Sequence, residues 1–365
     1  MMLPKISGGF INVTQRCNLA CKYCFVKQQP MEIDYKTAKD AVDFYAKNAL
    51  DNLTTPTATF FGGEPMLRYD DIIKPIVEYI RGRYGDYDLS ITTNGTLLNE
   101  ERLKFLSDNS VSVLLSIDGD KATQDKLRVK HDGSGSFDDI PIDLYRKYYP
   151  DETFRATLDP RNVRDMYDNY LFAEGKGYKS VTMIPNVLCE WSDTDIELMK
   201  IGLDQIMDHI VDKKSKNEPY ATFAEVDKKR DLYKKKSDVR SELRNLPACG
   251  TCGLGGTRFA SIGPSGDIYS CQEMTENQEY KNFIIGNIYT GVDEERRKSI
   301  AGMFNVDRVK SEDQEKCCSC DVKHICDGGC TINNFIKAGS VEIIPKVFCE
   351  WMSQTYRANE RIVQQ

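Results

Sequence analysis

Between residues 10 and 184 one pattern recurs: a short β-branched or apolar run, then a stretch whose apolar residues return at helical spacing. Phe10 to Thr14, Ala58 to Phe61, Leu89 to Thr93, Val111 to Ile117, Phe154 to Leu158 and Val181 to Ile184 read as strands. Tyr35 to Leu50, Asp70 to Tyr84, Glu100 to Asn109, Asp139 to Tyr149 and Asp165 to Lys176 read as the helices between them. Strands joined by crossover helices run parallel, so the expected class is α/β, a partial (β/α)6 TIM-like barrel. Its chemistry belongs on the loops at the carboxyl ends of the strands.

After the sixth strand the pattern stops. A long helix is expected from Asp193 to about Lys214, and then Lys228-Lys229-Arg230 and Lys234-Lys235-Lys236 alternate with Asp227, Asp231 and Asp238. Mixed-sign runs are usually solvated helix faces, and contact with a bound peptide is the alternative. Beyond Leu246-Pro247 the chain turns rich in Gly and Cys, and Gly263-Pro264-Ser265-Gly266 predicts a hairpin between Thr257 to Ile262 and Asp267 to Ser270. The expected domains are the barrel over 1–192, a helical bridge over 193–248, and a cysteine-rich domain with a small hairpin and a final helix over 249–365.

The cysteines narrow the chemistry. With 49 Lys and Arg against 56 Asp and Glu, the net charge of -7 gives no general attraction to nucleic acid or to an anionic membrane. Met1 to Gly9 lacks an apolar signal stretch, and no run approaches the ~20 apolar residues that span a bilayer, so the expected location is cytoplasmic. In a reducing compartment clustered cysteines bind metal more often than they pair, and 13 of them cannot all pair within one chain. His131, His209 and His324 are the only histidines, so a metal here is held mainly by thiolates, which favours zinc or iron–sulfur.

Cys17-Asn18-Leu19-Ala20-Cys21-Lys22-Tyr23-Cys24-Phe25 follows the first strand directly. Thiolates at this CxxxCxxC spacing can hold three irons of a 4Fe–4S cube and leave the fourth open to a small chelator. The triplet, its position and its trailing aromatic resemble the radical S-adenosylmethionine (SAM) superfamily, in which the cofactor's amino and carboxylate groups chelate the open iron. Phe61-Gly62-Gly63-Glu64-Pro65 ends the second strand and resembles that superfamily's GGEP motif. There the glycines let backbone approach the ligand, Glu64 can meet an ammonium group, and Pro65 stiffens the turn. The resemblance further implies ribose contacts from Thr92 to Thr96, through Asn94, and from Ser116-Ile117-Asp118-Gly119. Gln124-Asp125-Lys126-Leu127-Arg128 resembles an HDxxR element with Gln124 in place of His, which implies that Arg128 salt-bridges the cofactor carboxylate; a surface-helix arginine is the alternative. The implied cofactor contacts are thus Tyr23, Gly62, Gly63, Glu64, Pro65, Asn94, Ser116 and Arg128.

Cys317-x2-Cys320-x5-Cys326-x3-Cys330, preceded by Cys252-x13-Gly266-x4-Cys271 and followed by Cys349, resembles the SPASM extension of peptide-modifying radical enzymes. The resemblance implies two auxiliary 4Fe–4S clusters, one on Cys252, Cys271 and Cys330 with Cys249 as candidate fourth ligand, the other on Cys317, Cys320, Cys326 and Cys349. Cys318 is a spare, and a zinc ribbon is the alternative reading of the CxxC pairs. Cys189, just after the sixth strand, reads either as a buried inert thiol or as the catalytic donor of a hydrogen atom or proton to a substrate radical.

Together these resemblances imply SAM and three 4Fe–4S clusters, and a 5'-deoxyadenosyl radical that abstracts hydrogen from a peptide or protein. In sulfatase-maturing relatives an Asp base typically follows the Gx4C cysteine. Here Gln272 stands there, before Glu273, and a carboxamide cannot take a proton, so the expected activity is peptide maturation by crosslinking or another modification. Anaerobic sulfatase maturation to formylglycine is the first alternative, and an iron–sulfur electron carrier the second. Expected partners are the peptide substrate and an external reductant such as flavodoxin or ferredoxin. Because the triplet begins at Cys17, a roughly 80-residue recognition domain has no room before it, and leader binding is expected from a separate leader-recognition protein, from the basic bridge, or not at all.

Overall fold

The structure is a computed structural model that describes residues 3–235, 238–245, 252, 254–255, 257–313, 317 and 319–363. Strands β1 (Gly8–Thr14), β2 (Thr57–Gly62), β3 (Asp88–Thr93) and β4 (Val111–Leu115) run parallel in that order. β5 (Phe154–Leu158) and β6 (Ser180–Pro185) pair in a second parallel sheet, and a single bridge from Ser116 to Arg155 joins the two. Helices α1 (Tyr35–Asn52), α2 (Lys74–Arg83), α3 (Glu100–Asp108), α4 (Lys121–Leu127), α5 (Ile142–Tyr148) and α6 (Met166–Gly175) lie between the strands. This is the partial TIM-like barrel that the alternation predicts. Asp34, Asn99 and Asp120 start α1, α3 and α4 by accepting the N–H of Thr37, Arg102 and Thr123, which satisfies donors the first helical turn leaves free. Ile11, Phe60, Ile91 and Val113 are buried in the sheet against apolar helix residues such as Ala41, Tyr45, Ile76 and Leu103.

Two departures from the sequence reading have local causes. The helix expected from Asp70 instead runs as a 3-10 turn (Pro65–Arg68), a π turn (Tyr69–Ile73) and only then α2. Pro75 offers no N–H and its ring crowds the carbonyl four residues back, so a regular α turn cannot pass through it. The predicted hairpin forms as β8 (Phe259–Ile262) and β9 (Asp267–Tyr269), with Gly266 at φ 82° in its turn. It is not set apart from the barrel: β8 pairs in parallel with β1, and β10 (Ile284–Asn287) and β11 (Gly291–Val292) extend the same sheet. Gly9, at φ 143°, makes this possible, because a Cβ there would sit 1.8 Å from the Ala260 carbonyl oxygen.

The bridge comprises α7 (Asp193–Ser215), the short β7 (Thr222–Phe223), α8 (Ala224–Lys235) and α9 (Val239–Asn245). On α8 the charged run is largely the solvated face expected, with Lys228–Glu225, Arg230–Asp227 and Lys235–Asp231 pairs along the helix. Lys229 is the exception: it is buried and donates to the Glu225 carbonyl. Then follow α10 (Glu294–Ala301), β12 (Lys310–Ser311), α11 (Thr331–Ala338), β13 (Ile343–Ile344) and α12 (Lys346–Val363). α12 straps the bridge, with Trp351 edge-on to Phe223 and Asn359 donating to the Val226 carbonyl. Among the described residues no helix is long and apolar enough to cross a membrane.

Candidate active site

The loop after β1 is fastened on two sides. Gly63 and Glu64 donate their N–H groups to the Thr14 and Arg16 carbonyls at 2.7 and 2.8 Å. A Cβ on Gly62 or Gly63 would lie 2.1 or 2.2 Å from those same oxygens. The two glycines therefore let β2 close on the cysteine loop, and both also line the cavity. On the other side Ala20 and Lys22 bond the Val129 and Leu127 carbonyls, which brings the end of α4 under the cysteines. Cys24 closes a turn on the Cys21 carbonyl at 3.1 Å.

So held, Cys17, Cys21 and Cys24 line one cavity of about 320 Å³ at the carboxyl ends of the strands. Burial raises the thiol pKa of Cys17 to about 12 and of Cys21 to about 11, and Cys24 is shifted the same way. Repulsion from its two sisters adds to the shift at Cys17. Thiols so placed are poor anions by themselves and become thiolates by binding metal. Among the described residues no three Cys, His, Asp or Glu side chains draw close enough to hold a single metal ion. One zinc needs its thiolates on a common centre at about 2.3 Å, whereas sulfurs that ring an open space fit a polynuclear cluster. The donor set therefore fits an iron–sulfur cube.

Glu64 is fully buried and accepts from the Met66 N–H, the Thr93 hydroxyl and the Asn94 N–H at 2.9, 2.8 and 2.7 Å. Burial pushes its carboxyl up to about 7 against those three donors. Its first task is thus to lock the end of β2 to the end of β3, while it also forms part of the cavity wall. Asn94 donates to Asn18 at 2.9 Å and reaches toward Cys17. Ser116 and Tyr23 line the cavity too, whereas Pro65 lies outside the lining and starts the 3-10 turn. Arg128 is not the free cation expected. Its fork is closed on buried Asp118 at 3.0 Å through both Nε and Nη2, and it lies over the Tyr23 ring. Tyr23 and the Thr157 N–H also donate to Asp118, whose own N–H bonds Gln124. Gln124 is thereby a positioning residue, which the missing His had obscured.

Cys189 stands beside the cavity rather than in its lining. Its thiol donates to Asp159 at 3.1 Å and accepts from Asn186 at 3.0 Å, and burial followed by Asp159 pushes its pKa up to about 11. The opposite roof of the cavity comes from the C-terminal region, through Gln272 and Glu273. Glu273 Oε2 is buried without a hydrogen-bond partner among the described residues, and burial raises the carboxyl pKa to about 7. Sequence reasoning stopped at Gln272. Only the 3-10 turn Gln272–Met274, which turns the next side chain inward, brings Glu273 into view.

Two further thiol groups form in the C-terminal region. Cys271 and Cys330 are within electrostatic reach of one another and of Cys252. Cys349 is likewise grouped with Cys326, Cys317 and Cys320, and these four line one small cavity with Arg240. Arg240, from the bridge, donates to the Cys326 carbonyl at 3.1 Å. Cys249 and Cys318 lie outside the described residues.

Residues 11–172, which hold β2 to β5 and the three-thiol loop at the end of β1, match the Radical SAM superfamily. The chain carries that superfamily's domain, which implies a 4Fe–4S cluster, and its cysteine-rich C-terminal region fits the SPASM extension. Among its relatives, an uncharacterized protein of Methanocaldococcus jannaschii is 36% identical over 121 residues, which cover 32% of this chain and only 41% of that one. The cysteine-type anaerobic sulfatase-maturating enzyme of Clostridium novyi is 25% identical over 384 residues, covering 95% of this chain and 93% of its own. Native anSMEcpe with bound AdoMet and Cp18Cys peptide superposes with a TM-score of 0.74 at 20% identity, over 98% of both chains, and so shares the fold.

Proposed function

We propose that this chain is a radical SAM enzyme that modifies a residue of a peptide or protein substrate. The observation that carries the reading is the single cavity walled by Cys17, Cys21 and Cys24 on one side and by the unpartnered Glu273 carboxylate on the other. Cys17, Cys21 and Cys24 would hold the cluster, and Asn94, Ser116 and Tyr23 would orient SAM. When bound, that pair supplies one-electron cleavage of the sulfonium and hence hydrogen abstraction from an unactivated carbon. The chain's own residues do the rest. Glu64 and the Asp118–Arg128 pair keep the wall rigid, the roof excludes water, and Glu273 Oε2 takes up the proton a substrate gives off as it is oxidised. The groups at Cys252, Cys271 and Cys330 and at Cys317, Cys320, Cys326 and Cys349 would hold two auxiliary clusters, with Cys249 the candidate that closes the first.

Formylglycine formation on a sulfatase is the second reading. Glu273 favours it, because a carboxylate one residue beyond Gln272 removes the chemical objection that Gln272 raised, and the Clostridium novyi relative is named for that activity. Anaerobic co-expression with short cysteine-containing peptides, followed by mass spectrometry, tests both. Loss of two hydrogens without a free aldehyde supports crosslinking, an aldehyde in place of the thiol supports formylglycine, and unmodified peptide with active cofactor cleavage contradicts the substrate class. Cys189 as hydrogen donor would require Cys189→Ala to cleave SAM yet lose or change the product.

A further inference from the structure

The cavity has two unlike walls. The ends of β1 to β4 carry the thiols, Glu64, Asn94 and Ser116, whereas β5 and β6 contribute Arg155, Thr157, Ile184, Pro185 and Leu188. Along β5 the buried residues Phe154, Ala156 and Leu158 alternate with Arg155 and Thr157, which remain open, as the two-residue period of a strand requires. Part of the surface that Arg155 exposes lines the cavity. Desolvation accordingly lowers its pKa from the usual guanidinium value.

Arg155 is the charged residue of this wall, and among the described residues it makes no salt bridge. The neighbouring cations are matched: Arg128 by Asp118, Arg161 by Asp159 and Lys228 by Glu225. Glu225 favours the Arg155 charge without forming a salt bridge to it, and its Oε1 is held by the Thr182 hydroxyl and by Lys228, both at 2.7 Å. Arg128 repels Arg155. A desolvated guanidinium without a partner is costly, and the group that best satisfies its planar fork is a carboxylate accepting two parallel hydrogen bonds. Of the cofactor contacts implied by the superfamily, Ser116 pairs with Arg155 in the strand ladder, whereas Gly62, Gly63, Glu64 and Asn94 belong to the ends of β2 and β3. The apolar residues Ile184, Pro185 and Leu188 beside Arg155 would cover an aliphatic or aromatic neighbour of the incoming carboxylate.

We infer that Arg155 is a substrate-recognition residue that pairs with a carboxylate of the bound peptide, an acidic side chain or the chain terminus. The inference rests on the peptide reading above. Its test uses the reconstituted holoenzyme with SAM and a set of short capped peptides that hold one cysteine, with glutamate stepped through the remaining positions and a glutamine counterpart for each. In the wild type at least one glutamate position binds about 10- to 100-fold tighter than its glutamine counterpart, the range of a charge-assisted pair. Arg155→Gln loses that preference and Arg155→Lys restores part of it, while the iron content of both variants reports that they are folded. A wild type indifferent to glutamate in every position overturns the inference, as does a preference that survives in Arg155→Gln. A fall in SAM affinity as large as the fall in peptide affinity assigns Arg155 to the cofactor's carboxylate and overturns it too. A wild type that prefers glutamate peptides but modifies none contradicts the function and leaves the recognition intact; equal modification of both series does the reverse.

Discussion

The thiol loop after β1 and the four-thiol group at the C-terminus are built in different ways from the same side chain. Cys17, Cys21 and Cys24 are held by barrel backbone on two sides and open into a cavity of about 320 Å³. Cys317, Cys320, Cys326 and Cys349 close around a much smaller space walled by Ile344, Phe348 and Met352, with the cations Arg240 and Lys323 also in its lining. Openness at the first site leaves room for a cofactor and a substrate. Four thiols and an apolar wall at the second leave little room beyond a group they would bind, which would suit electron transfer or structural support.

Removing a thiol from each region sharpens that contrast. Cys21→Ala is expected to abolish 5'-deoxyadenosine release under dithionite, to the level of cluster-free protein, while most of the iron remains. Cys320→Ala is expected to drop the iron content from about 12 to about 8 per chain while cofactor cleavage persists. Cleavage that fails in both variants would erase the distinction between reacting and supporting sites. Glu64→Gln places an amide N–H against donors that Glu64 now satisfies. It should destabilise the barrel by ~1–3 kcal/mol in urea unfolding and weaken SAM binding.

The smallest expected effect concerns the wall beside the cavity. Hydrogen bonds from Arg161 and Cys189 outweigh burial and hold the Asp159 carboxyl below its usual pKa. A carboxyl with a lowered folded pKa adds stability above its unfolded pKa of about 3.9 and loses it as pH falls through the folded value. Wild type should therefore exceed Asp159→Asn by ~1 kcal/mol or less at neutral pH, since Arg161 is partly exposed to screening solvent. The difference should shrink as pH falls through the unfolded pKa of about 3.9 and vanish only below the lower folded value, measured by acid unfolding. A difference that grows toward low pH would contradict the assigned pairing.

Strand positions, the hairpin and the grouping of cysteines were legible because period, turn residues and spacing are local properties of the chain. What depends on tertiary closure was not. Gly8-Gly9 lay outside the first strand expected from Phe10, yet both belong to β1 and Gly9 is what allows β8 to join the barrel sheet. Arg128 matched a motif, but its partner Asp118 could be assigned only once the end of β4 and α4 were brought together. Glu273 and Arg155 carried no motif at all. Each matters because of what does not surround it, and the want of a partner is invisible until the walls are in place.

On the proposed function, the loop of Cys17, Cys21 and Cys24 would hold the cluster that engages SAM, and the C-terminal thiol groups would not. Electron paramagnetic resonance of the reduced, reconstituted protein with and without SAM tests it directly. One cluster signal should change on adding SAM, and that change should be absent in Cys21→Ala and present in Cys320→Ala. A spectrum unaltered by SAM, or a change that persists in Cys21→Ala, would contradict the account.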